Sequence, residues 1–227
     1  MTEVYTPTPR TTATRYRDRM HYERTLAHAI LDEAYDCALG FVVDGEPRVL
    51  PTLHVRVGDT VYLHGSTGGR LGLAARSGDV PVCLTVTLLD GIVYARSHFH
   101  HSANYRSVMV LGTARMVAGD AEKRRAMTAL VEKMGRGRAA DSRPPTRREL
   151  AQTALLALPL EEVSVRVRAG GVADDPDDMG LPHWAGVLPL RRVAGPAEPD
   201  AGVRGPAPDY VTGRQPYVAE KEPMATP

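Results

Sequence analysis

Short β-rich runs joined by Asp-Gly and Gly-Asp turns fill the first half of the chain, and they restrict the fold more than any other feature. Cys37 to Val43, Arg48 to Val57 and Thr60 to His64 are separated only by Asp44-Gly45-Glu46-Pro47 and Gly58-Asp59. Such pairs favour hairpins because they tolerate the positive φ of a tight turn. Val80 to Leu89 reads as a further strand turning at Asp90-Gly91 into Ile92 to Ser97, and Ser107 to Val117 follows. About six strands at short spacing, with little helix between them, argue against βαβ winding and for an antiparallel barrel or a compact sandwich.

Helical spacing is confined to short segments. Tyr22 to Ala34 places Leu26, Ile30 and Leu31 on one face, with Ala27 and Ala34 beside them, so an amphipathic helix is expected to close one end of the core. Arg70 to Arg76 follows the break Gly65-Ser66-Thr67-Gly68-Gly69 as a second helix. Asp120 is a plausible N-cap for a third through Met134, striped by Met127, Leu130, Val131 and Met134. A fourth is expected over 146–155, before a half-buried strand over 160–168 in which Val163, Val165 and Val167 alternate with polar residues. The Thr/Pro/Arg-rich residues 1–18 are expected to form a disordered arm and the Pro/Gly/Ala-rich residues 193–227 a flexible tail, leaving 19–192 as one folded domain.

Charge and composition remove several function classes. With 28 basic and 27 acidic residues the net charge is +1, so there is no electrostatic footprint for nucleic acid or for an acidic membrane surface. No apolar run is long enough to span a bilayer, and Met1-Thr2-Glu3-Val4-Tyr5 does not open a signal peptide, which makes the cytoplasm the expected compartment. Cys37 and Cys83 sit among apolar residues without CxxC spacing and read as free thiols.

Two segments concentrate chemistry. In Leu63-His64-Gly65-Ser66-Thr67-Gly68-Gly69-Arg70 a strand ends in small residues and a helix begins with an arginine. Helix-start N–H groups, the Ser66 and Thr67 hydroxyls and the Arg70 fork would together suit a phosphate, although a capped Gly-rich turn has the same composition. His64 is open to three readings: axial haem ligand, proton donor, or a hydrogen-bonded histidine of the framework. The second segment, Ser97 to Ser107, holds His98, His100 and His101 before Asn104, Tyr105 and Arg106. An HxH pair suggests a metal, but without a nearby cysteine or a further carboxylate the expectation is no metal site. Asn104, Tyr105 and Arg106 are better explained as contacts to a planar or phosphorylated ligand. Asp174-Asp175-Pro176-Asp177-Asp178 lacks the glycine and terminal glutamate of an EF-hand and reads as a solvated loop, and the lone Trp184 is either a core anchor, which spacing alone favours, or a residue edging a cofactor.

The strings Gly45-Glu46-Pro47-Arg48-Val49-Leu50-Pro51-Thr52, Leu63-His64-Gly65-Ser66, Thr87-Leu88-Leu89-Asp90-Gly91, His101 to Val108 and Trp184 to Leu190 occur in an order that resembles the pyridoxamine 5'-phosphate oxidase-related flavin-nucleotide-binding proteins, including the nitroimidazole-resistance-like branch. The resemblance covers roughly residues 20 to 192. It implies a mainly β fold with flanking helices, a six-stranded antiparallel split β-barrel of Greek-key type. It also implies a homodimer with FMN in clefts at the interface. Ser66, Thr67, Arg70 and the adjoining Gly65 would hold the FMN phosphate, Pro51 and Thr52 would line the ring, and Asn104, Tyr105, Arg106 and Ser107 would reach the flavin. Trp184 would close the cleft. His64 and Tyr105 are the residues placed to donate a proton. The expected activity is electron transfer from a reduced nicotinamide to a small organic acceptor, a nitro compound being one candidate. A non-catalytic flavin- or haem-binding protein and a user of deazaflavin F420 are the alternatives. The chain lacks the arginine-rich C-terminal signature of true pyridoxamine phosphate oxidases, so that substrate is not expected.

Overall fold

The computed structural model describes residues 3–213. Its strands are β1 (Met20–His21), β2 (Asp36–Val43), β3 (Glu46–Val57), β4 (Thr60–Ser66), β5 (Val80–Tyr94), β6 (Ser102–Met116), β7 (Thr153–Pro159), β8 (Glu162–Arg168) and β9 (Gly186–Pro189). The helices are α1 (Arg24–Glu33), α2 (Arg70–Ser77), α3 (Asp120–Met134), α4 (Arg147–Gln152) and α5 (Asp209–Thr212). All nine strands lie in one sheet, ordered β1-β8-β6-β7-β4-β3-β2-β5-β9, and an additional β5–β6 pairing closes six of them into a ring. Closure through β6 is divided. Residues 105–111 of that strand pair with β8, and only Arg115 and Met116 reach β7, which gives the expected split barrel.

Alternation explains the interior. Along β2 the residues Cys37, Leu39 and Phe41 point inward between exposed neighbours, and Leu84 on β5, Val108 and Val110 on β6, and Val163 and Val165 on β8 meet them. Ala27, Ile30 and Leu31 of α1, all fully buried, close one end, as the spacing predicts. Each such leucine or isoleucine contributes about 1.5–3 kcal/mol by leaving water. A second cluster forms outside the ring, where Ala126 and Ala129 of α3 cover Val55, Tyr62, Leu155 and Ala157.

Several boundaries differ from the sequence reading. Asp90-Gly91 is not a turn: β5 runs through it with a register shift between Leu89 and Gly91, because β6 on one side and β9 on the other keep the backbone paired. β6 begins at Ser102, so Asn104 to Ser107 lie within the strand rather than ahead of it. The fourth helix stops at Gln152 and Leu155 belongs to β7, where pairing with β4 overrides helical spacing. Gly119 occupies the N-cap of α3 and Asp120 falls in its first turn.

The amino-terminal arm is also packed. Tyr5 is 2% exposed, its N–H donates to Tyr22 O at 2.8 Å, and the Arg24 guanidinium lies over its ring at 4.5 Å. Thr8 and Arg10 both donate to Glu162 of β8. One aromatic side chain and a bidentate arginine anchor a segment whose average composition suggests none. Residues 193–213 are largely exposed, with Tyr210 of α5 receiving Arg138 Nη1 at 3.0 Å. The remainder of the expected flexible tail lies outside the described residues.

Buried polar groups hold α1 and α3 against β3. Arg56 donates to both Asp32 oxygens, at 3.1 and 2.6 Å. Lys133 Nζ donates to Leu31 O at 2.8 Å and lies 3.2 Å from His54 Nε2. Burial pushes Lys133 down to about 8 and His54 to about 3, with Lys133 adding to the latter shift.

Candidate functional site

A groove of about 290 Å³ opens where the β3–β4 hairpin meets the start of α2. Phe41, Val49, Leu50, Leu63, Leu71, Ala154 and Leu156 make its apolar wall, while Arg48, Thr52, His64, Ser66 and Arg70 supply its polar groups. The local sequence explains the shape. Asp44 and Gly45, at φ 54° and 77°, turn the chain sharply so that Arg48 lies opposite Phe41 across β2 and β3. Gly72 lets α2 approach the end of β4 closely, since a Cβ there would stand 2.5 Å from Ser66 O. Ser66 Oγ accepts the Gly68 N–H at 3.3 Å and Ser66 O accepts the Gly69 N–H at 3.1 Å. The first N–H groups of α2 beyond that turn have no intrahelical acceptors.

The groove has unmet capacity for an anion. Arg48 donates from Nη2 to Glu46 at 3.0 Å, but its Nε is shut off from solvent with no hydrogen bond, and Arg70 forms no ion pair among the described residues. Thr52 Oγ1 lies 3.4 Å from His64 O, bracing the two strands that carry the groove's hydroxyl and imidazole. An apolar wall with two arginines at its polar side suits a flat ring bearing a phosphate.

The structure therefore brings together Thr52, His64, Gly65, Ser66 and Arg70 of the expected residues. Sequence reasoning missed Arg48, although it lies within one of the quoted strings. Pro51 is exposed on β3 beside this set, and the Thr67 N–H donates to Gln152 O at 3.4 Å, tying the turn to α4.

The residues of β6 do other work within the protomer. Asn104 Oδ1 accepts from Arg168 Nη1 at 2.5 Å and from the Gly170 N–H at 3.1 Å, and its amide donates to Gly170 O at 3.0 Å. It fastens the chain as it leaves β8. Arg106 is engaged by Asp90 and by Glu33, whose hydrogen bonds raise its already high pKa further. Ser107 lines a different cavity of about 320 Å³ with Thr11, Thr12, Thr85, Ser164 and Arg166, and strand alternation places Tyr105 on that same face of β6.

A second concentration of chemistry lies at the β5–β6 connection. A 3-10 turn spans His98–His100, and His101 Nδ1 lies 2.9 Å from Ser97 O. Because a carbonyl only accepts, Nδ1 is the donor of this bond, which leaves Nε2 as the ring nitrogen for any further partner. Tyr94 packs edge-on to His101 at 6.1 Å and against Trp184 at 5.9 Å. Trp184 is 71% exposed and Phe99 89%, so the tryptophan is not a core anchor: Gly-, Pro- and Asp-rich segments around it offer no second layer to bury it. The acidic run is not a free loop either. The Asp174 side chain is wholly out of solvent, accepting from the Arg96 N–H at 3.0 Å and the Arg96 guanidinium at 2.8 Å. Burial alone would raise the Asp174 pKa, but Arg96 outweighs it and holds the carboxyl below its ordinary range.

Residues 23–167 match the family Pyridoxamine 5'-phosphate oxidase. The flavocytochrome Anf3 from Azotobacter vinelandii is similar at 38% identity with a TM-score of 0.85, covering 92% of this chain and 98% of its own. The FAD and haem binding protein from Mycobacterium smegmatis is similar at 35% identity with a TM-score of 0.82, covering 87% and 98%. A candidate 5-nitroimidazole antibiotic resistance protein from Bacteroides thetaiotaomicron, at 21% identity and a TM-score of 0.56 over 65% and 86% of the two chains, shares the fold. No curated protein matches.

Proposed function

Because the chain belongs to the pyridoxamine 5'-phosphate oxidase family, we propose that it is a redox protein of the flavocytochrome kind, holding a flavin in the β3–β4 groove and a haem at the histidine turn. The observation that carries this reading is that one chain has both an arginine-bearing apolar groove and an exposed, hydrogen-bonded histidine. An arginine-bearing apolar groove suits a flavin, and His101 is an exposed imidazole whose second nitrogen is already fixed by a backbone carbonyl. That second-site hydrogen bond is the arrangement that orients histidine ligands toward iron. The two similar proteins named for haem support the reading. Anf3 covers more of this chain than residues 1–167 can supply, so its likeness extends beyond the family match.

FAD is the flavin proposed, in place of the FMN expected from sequence, because the similar Mycobacterium smegmatis protein is an FAD and haem binding protein. Arg48 and Arg70 would hold its phosphates, and the apolar wall would exclude water from one side of the ring. His64 would hold a proton at the polar edge of the groove. His101 would hold the iron, with Tyr94 and Trp184 against the porphyrin. When bound, the flavin and the iron supply electron transfer, the chemistry that the side chains lack. A reduced nicotinamide is kept as donor and a small organic molecule as acceptor. The outer β2–β3 face, with Val42 59% and Val49 71% exposed, suits a second copy of the chain, and free Cys37 and Cys83 suit the cytoplasm. No helix among the described residues is long and apolar enough to cross a membrane.

The test is composition. Protein produced with haem and flavin supplied should show a Soret band and a flavin band, with one haem and one flavin per chain by pyridine haemochrome and acid extraction. A flavin band with no Soret band under those conditions would return the reading to a flavoprotein without haem.

A further inference from the structure

Neither the flavin nor the haem reading uses the cluster behind the histidine turn. His100 Nε2 stands 3.1 Å from Asp175 Oδ2, and the ligating atoms of His100, Asp175 and Asp178 all lie within 4.8 Å of one another. The sequence suggested a metal through its histidines and then lacked the further carboxylate. The fold supplies two, from a segment far along the chain.

Two further observations point to a ligand. His100 Nε2 is shut off from solvent and makes no hydrogen bond among the described residues, so its contact with Asp175 has the distance of a hydrogen bond without the alignment. Leaving such a nitrogen unsatisfied is costly, and a cation between it and the carboxylates would satisfy it. The His100–Asp175 distance of 3.1 Å is also suitable, because metal bonds of about 2.0–2.2 Å to imidazole nitrogen and carboxylate oxygen leave neighbouring ligand atoms roughly 3 Å apart, and Asp178, within 4.8 Å, would draw in onto the ion. The support is rigid. Asp174, clamped by Arg96 out of solvent, fixes the approach to the 3-10 turn Pro176–Asp178, with Asp175 at its N-cap and Asp178 at its end.

We propose that His100, Asp175 and Asp178 bind one divalent transition cation, with zinc and manganese the metals that a mixed nitrogen and oxygen set takes up. The ion would tie the acidic turn to the histidine turn and hold residues 98–101 in place. Asp177, on the same turn but outside the cluster, is the built-in control.

The full-length protein, carrying whatever flavin and haem it retains, is treated with chelator, dialysed and titrated with zinc and separately with manganese. Bound metal other than iron is counted by mass spectrometry and affinity is read by calorimetry. One equivalent of one of these metals per chain is expected. His100→Asn and Asp178→Asn should each weaken binding at least about tenfold, while Asp177→Asn and His101→Ala leave it unchanged. No stoichiometric uptake by the wild type, or uptake equally strong in His100→Asn and Asp178→Asn, overturns the proposal. Metal retained by a His101→Ala protein that has lost its haem, or by wild-type protein that never held haem, separates this site from the haem reading.

Discussion

The groove draws its polar groups from residues 48 to 70, one hairpin and one helix start, whereas the histidine turn is completed by Asp174, Asp175 and Trp184 from beyond the end of β8. The first region is apolar with arginines that lack partners for at least part of their donor capacity. The second is a surface of imidazoles and exposed aromatics braced by a buried ion pair. Local assembly gives a site that a linear reading can find. Assembly across the fold gives one that it cannot, because the chemistry of each half looks incomplete until strand pairing brings the other half to it.

If the two regions hold different cofactors, variants should separate them. The largest effect belongs to the groove. Replacing Arg48 and Arg70 together by alanine removes two charge-assisted contacts worth about 1.5–3 kcal/mol each, so flavin affinity should fall on the order of 10²–10⁴-fold in a fluorescence titration, with the Soret band intact. Weakening of less than tenfold would place the flavin phosphate elsewhere.

A second, smaller effect concerns pH, and it acts beneath β3 rather than at the histidine turn. Burial holds Lys133 at about 8 against an ordinary 10.5. Between those values the unfolded chain keeps a proton that the folded protein has shed, so this residue makes stability rise with pH across that window, by up to about 3 kcal/mol. Tyr5 and Cys37, both raised to about 12 chiefly by burial, act in the opposite direction at higher pH, so the comparison must be with Lys133→Met, which keeps the Tyr5 contribution and removes only the lowering that the Lys133 charge exerts on the Cys37 thiol, a change of the same sign as the expected difference. Denaturant unfolding at pH 7.5 and 10 should show wild type gaining stability relative to the variant as pH rises. A constant difference would mean that Lys133 titrates normally.

The smallest effect tests a residue that sequence and structure assign differently. The string from His101 to Val108 suggests that Asn104 reaches the flavin, yet its side chain is committed to Arg168 and Gly170. Asn104→Ala should cost about 1–2 kcal/mol of stability and leave flavin affinity within about twofold. A large loss of affinity without loss of stability would reverse that assignment.

These cases show why the barrel and half of the groove were legible in the sequence. Alternating β2 and β8, the Asp44-Gly45 turn and the amphipathic α1 express themselves over a few residues each, and so do Ser66, Arg70 and His64. Tyr5 was illegible because a single buried ring outweighs the polar composition of its arm. Leu155 was misplaced because pairing with His64 across β4 and β7 decides its conformation. Arg106 reads as a ligand contact in the sequence because Asp90 and Glu33, which it bonds within the protomer, are distant along the chain. The same blindness hid the carboxylates that stand beside His100.

The most direct test of two sites for two cofactors is the absorbance spectrum of reconstituted His101→Ala set beside that of reconstituted wild type and of the Arg48 and Arg70 double variant. The account predicts that His101→Ala loses the Soret band and keeps the flavin band, while the double variant does the reverse. Both bands lost together in either protein, or a Soret band unchanged in His101→Ala, would contradict it.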